Sequence, residues 1–173
     1  MSVPRFGDPE PLGPDHSLEA FDSGVGSLNT WLREHARGAA AAGSARTYVL
    51  EDAEQGRVVG YHALCAASVS HRETSARVRR GMPRHSIPAV LLARLAVDRS
   101  VQGRGLGAFL LRDAMVRSLA VAAQVGIRVM LVHALDEDAR DFYLHHGFEP
   151  SPTDPMNLQL IVKDMQASLR QGS

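Results

Sequence analysis

The sequence predicts an α/β fold of the mixed α+β kind, with helices on both faces of a mixed central β-sheet. Three observations carry this. Short β-rich apolar runs alternate with stretches whose apolar residues recur at helical spacing. The links between them are short, which favours layers interleaved around one sheet. No internal repeat or low-complexity tract breaks the alternation.

The elements follow in order. A chain of 173 residues is long enough to bury a core as one domain, 1–173. Residues 1–15, "MSVPRFGDPEPLGPD", form an extended lead-in stiffened by proline and lacking a signal peptide's apolar core. "SGVGSLNTWLREHARGAAAAG" reads as a helix, with Leu28, Trp31, Leu32 and His35 or Ala36 on one face. Ser27 is its expected cap, and Gly38 or Gly43 its end. "RTYVLED" and "RVVGYHALCAASV" are strands joined by the turn "DAEQGR". "SHRETSARVRRGMPRHSIP" has two prolines, many charges and little periodicity, so it reads as a loop or short irregular connection.

"AVLLARLAVD" is a buried strand, followed by the turn "RSVQ" and three closely spaced glycines. From Leu106 the pattern becomes helical. Leu106, Leu110, Leu111, Ala114, Met115, Leu119 and Ala122 share an apolar face, opposite Asp113, Arg117 and Gln124. Gly126 stops this helix, and "IRVMLVHAL" is the next strand. Asp136 caps a helix running through His146, with acids in its first turn, histidines in its last and Gly147 beyond. "NLQLIVKDM" supplies a last strand.

Composition narrows the function. Formal net charge is zero, so attraction to nucleic acid or an anionic surface has to come from a local patch. Cys65, the single cysteine, excludes an internal disulfide and reads as a small packed residue within "YHALCAASV". No run reaches the ~18 apolar residues of a membrane span. These features describe a cytoplasmic chain with no membrane attachment.

"VQGRGLGAFLL" places glycines 103, 105 and 107 between a strand and a helix N-terminus. Backbone N–H groups without intrahelical partners, aided by the helix dipole, make such a turn an anion site. Gly103, Gly105 and Ala108 have the spacing of a dinucleotide fingerprint. However, that fingerprint starts directly at the strand end, whereas Asp98 to Gln102 intervene here, and too few residues follow for most of a six-stranded Rossmann sheet. The nucleoside-triphosphate loop is excluded because no Gly-Lys-Ser/Thr follows. Glycines that merely serve a tight turn are the remaining alternative.

Gln102 to Gly107 read as Q-x-x-G-x-G, and "DEDARDFYLHHGF" as a degenerate N-x-x-A-x-x-F-Y-x-x-x-G-F through Asp136, Ala139, Phe142, Tyr143, Gly147 and Phe148. In this order, one helix and one strand apart, the two motifs resemble those of GNAT-type N-acetyltransferases. Over nearly the whole chain the sequence resembles the GNAT toxins of bacterial toxin–antitoxin pairs, the TacT-like group. The N-terminal matches are His16, Phe21, Gly24, Leu28, Asn29, Trp31, Leu32 and Ala36, with Ser23 where many members carry Cys. "ARTYV", "VVGYHAL", "MPRHSIP" and "LLARLAVD" also fit.

The resemblance implies a GNAT fold whose sheet splays at the acetyl-CoA site. Gln102, Gly103, Arg104, Gly105, Leu106 and Gly107 would hold the pyrophosphate. Backbone amides around Leu95, Ala96 and Val97 would face the oxyanion, and Asp136 would lie near the pantetheine arm. It implies acetylation of the α-amine of aminoacyl-tRNA, which blocks translation. It also implies a ribbon-helix-helix antitoxin, a homodimer and no metal. An acetyltransferase of a small amine, antibiotic or protein N-terminus is the alternative, and a silent acetyl-CoA-binding regulator a third.

The chemistry fits the residues. A free α-amine has pKa of about 7.7–8.0, so a useful fraction of it is already neutral near pH 7 and a strong general base is dispensable. Tyr143 is the candidate acid at the sulfur. Tyrosine at ~10 against a thiol at ~8.5 makes full proton transfer uphill by ~2 kcal/mol, so the hydroxyl first hydrogen-bonds the departing sulfur. His145 and His146 read as partners of the helix dipole. His133 either faces the active site or is a satisfied core group. Between His71 and His85, Arg72, Arg77, Arg79, Arg80 and Arg84 outnumber Glu73. Arg77, Arg79, Arg80 and Arg84 are therefore the candidate tRNA contacts, with a merely solvated charged loop as the alternative.

Overall fold

The computed structural model describes residues 4–172. Its seven-stranded mixed sheet has the order β1-β2-β3-β4-β5-β7-β6. The chain divides into two compact units, one running to Cys65 and including Arg94–Ala114, the other comprising Ala66–Ala93 and Met115 onward.

In the first unit the lead-in is not a free arm. Phe6 bridges to Asp52, and β1 (Glu10–Pro11) pairs with β2 (Arg46–Asp52) as an edge strand. Arg5 forks onto Asp52 at 3.0 and 2.8 Å. His16 Nδ1 accepts the Gly13 N–H, so the ring proton lies on Nε2, which donates to Glu10 of β1 and lies 3.2 Å from Glu51 of β2. Residues 1–3 of the expected lead-in lie outside the described residues.

The first helical stretch runs as α1 (Gly26–Thr30), a π turn (Trp31–His35) and α2 (Ala36–Ala42), ending at a left-handed Gly43. Val25, not Ser27, occupies the cap position, and no side chain caps it. Leu32, Ala36 and Phe21 bury against Val49, Val58, Tyr61 and Ala96 on one sheet face. β3 (Arg57–Val69) and β2 pair with a bulge at Val59, which turns this residue toward the opposite face. There Val59 and Leu50 pack with Val101, Leu106 and Leu110. Helices therefore cover both faces of this unit. A side chain at Gly60 would meet Leu110 Cδ1 at 3.0 Å, so a bare backbone lets α4 (Leu106–Ala122) lie close to β3.

In the second unit a short 3-10 turn at His71–Glu73 and the four-residue α3 (Ala76–Arg79) punctuate the expected loop. Val78 seals Val69, Ile87, Ala89, Val129 and Leu131. β4 (Ile87–Val97) pairs in parallel with β5 (Val129–His133) from Ala89–Val129 to Leu92–Val132, and the pairing ends there. α5 (Glu137–His145) follows, capped by the Asp136 carboxylate, which accepts the Ala139 N–H at 2.8 Å. β6 (Glu149–Pro150) and β7 (Asn157–Ile161) complete the sheet. The expected last strand is only half strand. After Ile161 the chain turns helical as α6 (Val162–Gln171). Among the described residues, no helix is long and apolar enough to cross a membrane.

Candidate active site

Gly103 and Gly105 stand at φ +80° and +79°, in the left-handed region that side chains rarely adopt. A side-chain carbon at either position would meet no atom within 4 Å, so space lies open in front of the turn. Gly107 is already within α4, whose first amides have no intrahelical acceptors. A left-handed turn with open space before it, delivered onto a helix N-terminus, fits a diphosphate.

The turn is fastened from behind. The Asp98 carboxylate, 3% exposed, accepts N–H bonds from Asp22 and Ser100, the Ser100 hydroxyl, and both Nη atoms of Arg57. Burial opposes ionisation of Asp98, but the Arg57 guanidinium and the backbone donors hold its carboxyl well below the usual range. The Asp98 N–H in turn bonds the carbonyl of bulged Val59 at 2.7 Å. Gln102 Nε2 donates to Ser23 O and Val97 O at 3.0 and 2.9 Å. Its amide nitrogen therefore clamps the turn to the strand and to the N-terminal segment, a role that the motif alone does not reveal. Ser23 and Asp22 are held by Asn29, which explains why an N-terminal asparagine belongs with a distant glycine loop.

Leu95 and Val97 pack toward α4, and Ala96 toward the α1–α2 face. Arg104 is exposed. Asp113, expected on a solvent face of α4, is half-buried and accepts from the fully buried His62 at 2.7 Å. This pair ties the helix behind the loop to β3. Cys65 is half-buried, and burial pushes its thiol up, away from nucleophilic use.

In the second unit Tyr143 is 6% exposed, with Phe142 and Phe148 rings at 5.1 and 5.4 Å. Burial pushes its phenol above the ordinary tyrosine value, so the hydroxyl keeps its proton and acts as a donor. His145 lies in the last turn of α5. Burial, with His145 beside it, lowers the pKa of His146. Asp136 is engaged as the α5 cap.

The four arginines of the basic loop expected to contact tRNA diverge. Arg77 forks onto Asp164 of α6 at 2.7 and 3.0 Å, which spends its charge locally. Arg79 is half-buried and donates to Thr74 O. Arg80 and Arg84 are exposed. Arg128, which the charge pattern did not single out, donates to the carbonyls of Val78, Arg77 and Arg80 and so fixes the shape of the loop.

A mixed sheet that feeds a left-handed glycine turn into a helix N-terminus defines an α/β protein built to hold a diphosphate-bearing ligand. Residues 43–150 match the acetyltransferase (GNAT) domain family, and the chain belongs to that family. It is 46% identical, over 94% of its length and 96% of the relative's, to the tRNA-acetylating toxin of Mycobacterium tuberculosis (strain ATCC 25618 / H37Rv). Its fold is similar to that of AtaT complexed with acetyl-methionyl-tRNAfMet, with a TM-score of 0.86 and 31% identity over 95% of this chain and 99% of that one. It is also similar to a mutant AtaT toxin bound to the C-terminus of the antitoxin AtaR and acetyl-CoA, with a TM-score of 0.78 and 32% identity over 94% and 96% of the two chains.

Proposed function

We propose that this GNAT enzyme transfers the acetyl group of acetyl-CoA to the α-amine of the amino acid on charged tRNA, and so blocks translation. The observation that carries this reading is the near end-to-end likeness to the mycobacterial tRNA-acetylating toxin. The site supports it. Gly103 and Gly105 open the turn to the pyrophosphate, and Gln102 holds that turn in shape.

Acetyl-CoA supplies the thioester whose acyl carbon is transferred. The amides around Leu95 to Val97 serve as donors to the thioester oxygen. The Tyr143 hydroxyl, held protonated by burial, hydrogen-bonds the departing sulfur rather than surrendering its proton outright. Arg80 and Arg84 offer free positive charge to the tRNA backbone, while half-buried Arg79 and Arg77, which Asp164 neutralises, are lesser contributors. The chain works in the cytoplasm, as a homodimer, and is silenced by an antitoxin with a ribbon-helix-helix domain. The antitoxin-bound AtaT mutant supports the last point as far as an antitoxin is concerned.

The test is direct. The enzyme is incubated with radiolabelled acetyl-CoA and total charged tRNA, and the terminal nucleoside is released and identified. Label on an aminoacyl adenosine is the expected result. Label only on a small amine or on protein N-termini transfers the chain to the alternative, which the pairing of Arg77 with Asp164 would then favour.

A further inference from the structure

One histidine of the second unit is set up for chemistry that a dispensable base would not require. His133 ends β5 and pairs across the sheet with Asn157 of β7. Its Nδ1 lies 2.6 Å from Asn157 Oδ1. A carbonyl oxygen only accepts, so the proton is on Nδ1, and Nε2 carries the lone pair. Nothing among the described residues bonds Nε2.

His133 also lines a cavity of about 270 Å³. Leu91 and Leu131 form its floor in register, with Gln159 beside Leu131 as Asn157 is beside His133. Of the other polar side chains of this wall, Ser68 is an exposed hydroxyl with no ring nitrogen to offer, and Gln159, Ser151 and Glu73 are already engaged. Gln159 Nε2 and Ser151 Oγ both donate to Glu73 O at 2.6 Å, and the Glu73 carboxylate accepts from Ser70. His133 therefore stands out as a cavity side chain with an oriented acceptor to spare. The volume lies just under the ~300–1,000 Å³ range of typical ligand pockets, the scale of an aminoacyl group rather than a nucleotide. Tyr143 belongs to the helix that follows β5 directly and packs on β7, the strand that orients His133.

We infer that this cavity receives the acceptor amine and that His133 Nε2 is its general base, with Asn157 the positioning residue. Nε2 accepts a hydrogen bond from the amine and takes one proton as the N–C bond forms and the C–S bond of the thioester breaks. The Tyr143 hydroxyl hydrogen-bonds the departing thiolate and keeps its own proton; the thiolate takes one proton from water, while the His133 proton returns to water. The products are the amide and the free thiol, with both side chains neutral at the end. This assignment rests on acetyl transfer to an amine, as proposed above, and holds whether the amine belongs to charged tRNA or to a small molecule.

Measurements on the full chain decide it. Turnover of His133→Ala on charged tRNA should fall about a hundredfold, the low end for a positioned base because the amine is partly neutral already. Calorimetric acetyl-CoA affinity should stay within a factor of two. Added imidazole should restore a substantial part of the lost turnover, which a merely structural histidine would not permit. Asn157→Leu should lower kcat about tenfold with little change in KM. In ¹⁵N spectra of labelled imidazoles, the signal absent from His133→Ala should report an Nδ1–H tautomer in the wild type and lose it in Asn157→Leu. His133→Ala turning over like the wild type, or lost activity without imidazole rescue, overturns the assignment, as does an Nε2–H tautomer. If the wild type ignores charged tRNA but acetylates an amino-acid ester, the tRNA reading fails and the same variants, assayed on the ester, still judge His133. If it acetylates neither, both fall.

Discussion

The glycine turn and the basic loop use their charged residues in opposite ways. Around the turn, Asp98, Arg57, Gln102 and Ser100 bond one another and the backbone, and the groups left open are main-chain amides. Beneath the loop, Arg128 and Gln159 bond its backbone, and the side chains left open include those of Arg80 and Arg84. A ligand read by amides needs a turn of fixed shape, and a buried charge network supplies one. A polyanion held by charge needs mobile cations near it, and only the base of the loop has to be fixed.

The largest effect that could break this contrast is on stability. Asp98→Ala leaves Arg57 and two backbone donors without their acceptor, a loss of about 3–5 kcal/mol for a broken buried pair. Thermal unfolding should drop by roughly 10 °C for a chain of this size. An unchanged midpoint would show that the turn does not depend on the network. The sign with pH follows from the depressed Asp98 carboxyl. Its stabilisation is fully present above the ordinary carboxylate value of ~3.9 and is lost as pH falls through the lower folded value. Wild-type stability should therefore fall in strong acid more steeply than that of Asp98→Asn, as acid titrations followed by circular dichroism would show.

Next comes Tyr143→Phe, which removes only the hydroxyl from a packed ring. Turnover should fall by about a hundredfold, ~2.7 kcal/mol, with acetyl-CoA affinity little changed. Full activity would move the acid to water or to another group. Gly105→Val forces a branched side chain into a left-handed position and should weaken acetyl-CoA binding at least tenfold, about 1.4 kcal/mol, while the fold survives. Unchanged calorimetric affinity would remove the turn from the site.

The smallest effect sharpens the other side of the contrast. Each of Arg80→Ala and Arg84→Ala should flatten the salt slope of tRNA binding by about one unit, and Arg77→Ala by less because Asp164 already holds it. Equal effects of all three would mean that the Arg77 ion pair opens on the tRNA.

What could be read beforehand follows the range of the interactions. β2 and β3 match their expected bounds because alternation and turn residues are local signals. The glycine turn is equally local, being made of its own backbone. By contrast, α6 begins directly after Ile161 with no capping side chain, so nothing in "NLQLIVKDM" marks the change from strand to helix. The fate of Arg77 depends on Asp164, 87 positions away, and the clamp made by Gln102 on Ser23, 79 positions away. The His133 tautomer depends on a cross-strand neighbour. Composition and spacing within a motif carry no information about partners at that distance.

Trp31, the single tryptophan, stacks on Tyr61 with ring centroids 6.0 Å apart, and the Arg94 guanidinium lies over the indole, 4.7 Å from the ring centroid. Arg94 directly precedes Leu95 on β4. The indole is thus an intrinsic fluorophore with a cation at close range and a tyrosine donor near enough for efficient energy transfer. Its emission reports on the unit that carries the glycine turn alone, without any attached dye. Stopped-flow changes in that emission on mixing with acetyl-CoA would time cofactor capture separately from the chemistry that follows.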